Sequence, residues 1–217
     1  MPNKAERQRR KALQKAAEDD AKRRSSPETS SSLHEMFAQL QRDERDRRRR
    51  FRVVDADLIS AETDDALFAG LYSHLIDSVG VGASLADLMD RVQQLPEGYR
   101  LLLLISGLQG EVDNGGYNQY FFNSTGQFAE ATLEALKTIG ASEHVVIHDE
   151  AIRLFRQVMV DAKMRAVFED RDIDRFFESY EESLFDECDS RFSDRGDGLQ
   201  EMFCAYVRAH PELFAHA

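Results

Sequence analysis

The chain has 217 residues, 42% of them hydrophobic and 31% charged, with a formal net charge of -12. That length suits one domain plus an extension, or at most two small domains. The longest apolar run, Leu101 to Ile105, is far short of the ~20 residues a membrane-spanning helix needs, and no apolar stretch follows the basic start of the chain. Two cysteines, Cys188 and Cys204, build neither a disulfide scaffold nor a four-cysteine zinc site, so a cytoplasmic protein is expected.

The charge is uneven. Residues 1–52 hold 16 Lys+Arg and 9 Asp+Glu, a net of +7, whereas residues 53–217 carry 12 and 31, a net of -19. The first segment holds only 13 apolar residues, too few to offset the entropy of ordering a core. It reads as a basic extension with helix-forming stretches over 3–24 and 33–52, separated by a Ser- and Pro-containing break around Pro27. Its run Arg47–Arg48–Arg49–Arg50 has three readings: a solvated tail, a phosphate contact, or a strap lying back on the acidic part until a partner displaces it.

The second segment, 53–217, predicts an acidic all-α domain. Thr63 before Asp64 and Asp65 is a capped helix start, the stripe Leu67, Phe68, Leu71, Tyr72, Leu75, Ile76 and Val79 follows, and Gly80 ends it. Ser84 with Asp87 resembles a capping box before Leu85, Leu88, Met89, Val92 and Leu95. Pro96 suits the first turn of a helix that is apolar nearly all round, the expected centre of the core, running into the breaker Asn114–Gly115–Gly116. A short aromatic segment, 117–122, and a turn at 123–126 come next. A helix from Phe128 to Gly140 follows, then one capped by Ser142 with Val145, His148, Ile152, Phe155 and Met159 on a stripe. Ile173 to Cys188 and Leu199 to Val207 complete the set. No two-residue alternation persists, so no strand is expected.

Several chemistries are missing. There is no phosphate-binding Walker loop, dinucleotide glycine pattern, HExxH or GxSxG. Asp194 to Glu201 fails as a calcium loop because Arg195 stands where the turn needs glycine. His144 and His148 are four apart on a helix, but His148 lies on the apolar stripe, so a satisfied core histidine is the better reading than a metal ligand. No metal, cofactor or catalytic residue is expected.

The densest segment is 111–123. Glu111, Asp113, Asn114, Gln119 and Asn123 stand beside Gly115, Gly116 and Tyr117, with Asn118 and three further aromatics. It reads as an inter-helix loop tied down by its own polar groups. The alternative is a small-molecule or peptide pocket, possibly hydrolytic, with Glu111 or Asp113 as general base.

The run E-V-D-N-G-G-Y-N-Q-Y-F-F-N-S-T-G at 111–126 resembles the signature of the C-terminal domain of the bacterial DNA-mimic protein family. The stretch A-T-L-E-A-L-K-T-I-G from Ala131 and the ending Tyr206 to Pro211 fit the same pattern, so the resemblance covers roughly residues 60–215. It implies an all-helical, commonly dimeric fold, and the chain is expected to be non-enzymatic. It also implies a role in which acidic side chains imitate DNA phosphates and occupy a basic DNA-binding protein.

The chain's own charges permit such a role. Duplex DNA carries a charge every ~1.7 Å of axis, and helical carboxylates four apart lie ~6 Å apart. Between 169 and 189, Glu169, Asp170, Asp174, Glu178, Glu181, Glu182, Asp186 and Asp189 are the candidate protein-binding face, with a second patch at Asp55, Asp57, Glu62, Asp64 and Asp65. With that charge, 53–217 is expected to bind neither DNA nor an anionic membrane directly.

Overall fold

The computed structural model describes residues 27–80, 85–169, 183–195 and 198–215. Among these there are ten α-helices and no strand: α1 (Pro27–Arg50), α2 (Ala56–Ala61), α3 (Asp64–Val79), α4 (Leu85–Arg91), α5 (Gly98–Phe122), α6 (Ala129–Thr138), α7 (Ser142–Val158), α8 (Ala162–Glu169), α9 (Asp186–Ser193) and α10 (Gly198–Ala209). Short 3-10 turns at Val92–Gln94, Ser124–Phe128 and Pro211–Leu213 complete the path. The all-α expectation is met. None of the described helices is long and apolar enough to cross a membrane.

The chain divides into two compact units, Met1–Arg49 and Arg50–Ala217. In the first, α1 begins at Pro27, so Ser30 to Ser32 lie inside a helix where a break was expected. A proline fits the first helical turn because its missing N–H has no partner there anyway. Local pairs hold the exposed end of α1: Glu44 binds Arg47 at 2.8 Å and Arg48 at 2.7 Å. The stretch 3–24 lies outside the described residues.

The second unit is built round α5, which packs against α4, α6, α9, α10 and the Ser124–Phe128 turn. Its Tyr99, Leu102, Ile105, Leu108, Tyr117 and Tyr120 are buried. One aromatic group joins Tyr99, Phe203 and Phe214, with Phe214 5.9 Å from Tyr99 and 5.7 Å from Phe203. A second joins Tyr117, Tyr120, Phe121, Phe155, Phe185 and Phe192, with Phe121 stacked flat on Phe155 at 4.2 Å. Aromatic pairs of this kind add about 0.5–1.5 kcal/mol each beyond simple burial.

Helix ends follow local chemistry in part. Thr63 caps α3 by accepting the Ala66 N–H, and Gly80 ends it at φ 77. Gly140, also at φ 77, follows α6. Ser142, expected as a cap, is instead the first residue of α7, and Ala141 stands in the cap position without a side-chain bond. Phe51, assigned from composition to the extension, belongs to the folded unit: it is 2% exposed, and its carbonyl accepts from the Nδ1 of buried His74 at 2.7 Å.

Candidate functional site

The aromatic segment 117–122 is not a loop after the Asn114–Gly115–Gly116 breaker. It continues α5 across a kink, with Gly115 at φ -158, ψ 26 and Gly116 at φ 68, ψ -172. Only glycine takes the Gly116 conformation without strain. A kink detaches the next N–H from the helical ladder, and a detached buried N–H needs an acceptor. Asp189 of α9 supplies it: its Oδ1 accepts the Tyr117 N–H at 2.8 Å. The carboxylate therefore caps the second half of α5 from a different helix, where the positive end of the helix dipole favours it.

Two further bonds hold the same junction. The buried Asn118 amide donates to Ser183 Oγ at 2.6 Å, and that oxygen also accepts the Phe185 N–H at 3.1 Å. Across the kink, Glu111 Oε2 accepts from Gln119 Nε2 and Asn123 Nδ2, each at 2.7 Å. Tyr120 donates to Thr132 Oγ1 at 3.1 Å, and Thr125 donates to the Tyr120 carbonyl at 3.0 Å. Glu111, Gln119 and Asn123 thus form one network, and Tyr117 packs in the core. Asp113 and Asn114 are exposed, Asp113 with a partner of its own. The expectation was an inter-helix loop tied down by its own polar groups; Glu111, Gln119 and Asn123 do bond one another, but within a kinked helix in place of a loop. The Asp189 contribution was not foreseen.

Asp189 was placed by sequence on the acidic face. The structure turns it inward, and burial raises its carboxyl pKa, opposed by the Tyr117 hydrogen bond and reinforced by Asp186. Of the other seven residues proposed for that face, Glu169 and Asp186 are exposed. Asp170, Asp174, Glu178, Glu181 and Glu182 lie outside the described residues. The second patch is largely engaged in holding the fold. Asp55 caps α2 by accepting the Leu58 N–H, and Glu62 is buried against Arg50. Asp64 pairs with Arg208 at 2.6 Å, and Asp65 accepts from Gln200 at 2.7 Å.

Most arginines of the folded unit are paired as well. Arg191 reaches Glu150 and Arg195 reaches Glu143, both at 2.6 Å, tying α9 and its C-terminal end to α7. Arg153 pairs with Asp149, Arg156 with Glu130 and Arg91 with Asp87. Such exposed pairs contribute only ~0–1 kcal/mol each. Their consequence is electrostatic: cations already paired leave the surplus of carboxylates uncompensated. Asp57, Asp186, Glu187 and Glu201 are exposed and enter no ion pair among the described residues.

Beside the kink lie two buried histidines. His148 Nε2 donates to the Ala129 carbonyl at 3.0 Å, while its Nδ1 and both nitrogens of His144 have no hydrogen-bond partner among the described residues. Both are core histidines as expected, but among the described residues His148 is satisfied at one nitrogen only and His144 at neither. Among the described residues no group of three or more His, Cys, Asp or Glu gathers to hold a metal ion. Burial lowers the His148 pKa to about 4, against smaller upward effects from the Ala129 bond and Asp149. Burial and then Arg195 lower His144, opposed by Glu143.

A histidine depressed in the folded state contributes stability that is complete above its unfolded pKa of 6.5 and is lost as pH falls toward the folded value. For His148 that window is pH 6.5 to about 4, and the full loss is about 3 kcal/mol. Asp189 acts in the opposite sense and partly compensates at the acidic end. Denaturant titrations at pH 7.5 and pH 5 should show the protein less stable at pH 5, with a smaller difference in His148→Gln. An equal difference in that variant would mean the loss arises elsewhere.

The two thiols are also buried, with pKa values raised chiefly by burial to about 11 for Cys188 and about 12 for Cys204. Neither is an activated nucleophile.

Comparison with known proteins bears on one stretch. No curated protein and no solved structure matches the chain. The family described as DMP19-like protein matches residues 93–210, just over half the chain. That match starts later than the resemblance read from residue 60, and it contains the Glu111 network, the glycine kink and Asp189. The chain belongs to the DMP19-like family of DNA-mimic proteins, whose role at family level is to bind protein.

Proposed function

We propose that residues 53–217 act as a non-enzymatic, acidic protein-binding module that presents carboxylates in place of DNA phosphates to a basic DNA-binding protein. The observation that carries this reading is the charge: a net of -19 over 53–217, in a unit whose arginines are mostly paired within the fold. A cleft or groove lined with cations is the complementary surface, and long-range attraction speeds its encounter with such a domain. The face argued from sequence supports the reading through Glu169, Asp170, Asp174, Glu178, Glu181, Glu182 and Asp186. Asp189 is removed from it because its carboxylate serves the α5 kink.

The hydrolytic alternative has less support. Glu111 is held by two amides, and both thiols have raised pKa values, so no activated nucleophile stands beside the motif among the described residues.

The immobilised protein should retain a basic DNA-binding protein from its native cell extract at low ionic strength, and rising salt should release it as screening shortens below ~10 Å. Replacing Glu178, Glu182 and Asp186 together by their amides should weaken that complex at least about tenfold. Recovery of no such protein, or of one indifferent to both salt and the triple substitution, contradicts the proposal.

A further inference from the structure

A cleft of about 440 Å³ opens where α3, α4, α5 and the Ser124–Phe128 turn meet. That volume lies within the ~300–1,000 Å³ typical of ligand pockets. Its walls are mostly apolar, with Phe68 and Tyr72 from α3, Leu85 and Leu88 from α4, and Leu103 from α5; the hydroxyls of Ser106, Ser124 and Thr125 also line it, each already bonded within the fold. Gly107 of α5 also lines it, and a Cβ added there would meet only Thr125 Cγ2 at 3.4 Å and Leu85 Cδ2 at 3.7 Å. The missing side chain at Gly107 leaves that part of the cleft wall to the α5 backbone.

Glu111 is the one charged residue lining this cleft among the described residues. Its Oε2 is fixed by Gln119 and Asn123, while Oε1 has no hydrogen-bond partner among the described residues. The two amides stop the carboxylate from rotating, so the second oxygen is an acceptor oriented before anything binds.

These features constrain the occupant. An anion is repelled by Glu111 and by the charge of the whole unit. A purely apolar group would cover the carboxylate and leave it desolvated and unpaired, which is costly. A cation on an aliphatic stem satisfies both parts: methylenes against the leucines, the charged head on Oε1. A planar guanidinium does so better than an ammonium, because it also stacks on the Phe68 and Tyr72 rings and bonds a carboxylate through a rigid fork.

We propose that this cleft receives an arginine side chain of the protein partner. The inference rests on the protein-binding reading above and adds an anchor to it: one buried contact with shape, beside a broader charged face that supplies attraction but little register.

The test uses n-butylguanidinium as the probe and amide NMR of the full chain as the readout. Saturable shifts are expected at the Gly107, Ser124 and Thr125 amides. Butylurea, the same shape without charge, should bind at least about tenfold more weakly. Glu111→Gln should weaken the probe to a similar degree, and Gly107→Leu, whose side chain extends into the cleft past Thr125 and Leu85, should abolish the shifts while the amide spectrum elsewhere stays that of the folded protein. Absence of saturable shifts at those amides, equal binding of butylurea, or binding unchanged in Gly107→Leu overturns the inference. The two readings separate cleanly. A recovered DNA-binding partner that binds Gly107→Leu as well as wild type sinks the arginine cleft alone. Butylguanidinium binding that behaves as expected, with no DNA-binding partner recovered, sinks the mimic reading and leaves the cleft standing.

Discussion

Gly116→Ala is expected to destabilise the folded unit by about 3 kcal/mol or more, a large share of the ~5–15 kcal/mol that holds a typical domain. Two costs combine. The backbone at φ 68, ψ -172 lies in a region that is essentially glycine-only and costs ~1–3 kcal/mol for any other residue. The new Cβ would also strike the Asp189 carboxylate, lying 2.8 Å from its Cγ and closer still to Oδ2. Displacing that carboxylate strands the Tyr117 N–H, a buried donor whose loss of partner costs ~1–3 kcal/mol. Chemical denaturation measures the change, and hydrogen exchange at the Tyr117 amide reports its cause. Gly110→Ala is the matched control: it sits in the same helix with nothing within 4 Å of the added Cβ, so it should stabilise by up to ~1 kcal/mol. A Gly116→Ala protein as stable as wild type would show that the kink and its cap are dispensable.

Phe51→Ala is expected to cost about 3–5 kcal/mol, the usual range for emptying a buried aromatic site. The ring lies over Gly70 of α3 so closely that a Cβ on Gly70 would overlap its Cε2 and Cζ. A pocket whose floor is a glycine backbone within a packed helix cannot collapse to fill the void. The substitution leaves the Phe51 carbonyl free to keep its bond to His74, so the loss measures the ring alone. Urea denaturation of the full chain tests this. A change under 1 kcal/mol would mean that residues 50–52 belong energetically with the basic extension.

These two sites also mark where sequence reasoning reached its limit. Helix α3 was legible from both ends, since Thr63 and Gly80 act through bonds to residues within four positions. The apolar face of α5 was legible for the same reason, and the 111–126 signature pointed to the right family. Gly115–Gly116 was read as a stop because a local rule sees two poor helix formers and no compensation. The compensation comes from Asp189, 72 residues away in the chain. Its own neighbours, Asp186 and Glu187, made it look like one more surface acid. Phe51 was lost among arginines by a composition window, since the glycine that makes room for it lies 19 residues on. Ser142 failed as a cap because the helix begins one residue earlier than its side chain requires. The arginine pairs from α9 to α7 and from α10 to α3 were likewise invisible, because they depend on which helices are neighbours.

Net charge survives these corrections better than any named row of acids. Pairing consumes Asp64, Glu143 and Glu150, and capping consumes Asp55 and Asp189, yet the unit keeps far more carboxylates than cations. Folding thus selects which acids remain for a partner, and that selection is what a sequence count cannot make.

Displacement of labelled duplex DNA from the captured DNA-binding protein tests the account most directly. Adding this chain should release the duplex in full, with an apparent affinity that falls as salt rises, and the Glu178, Glu182 and Asp186 amide variant should release it poorly. A stable complex holding partner, duplex and this chain together would contradict the account.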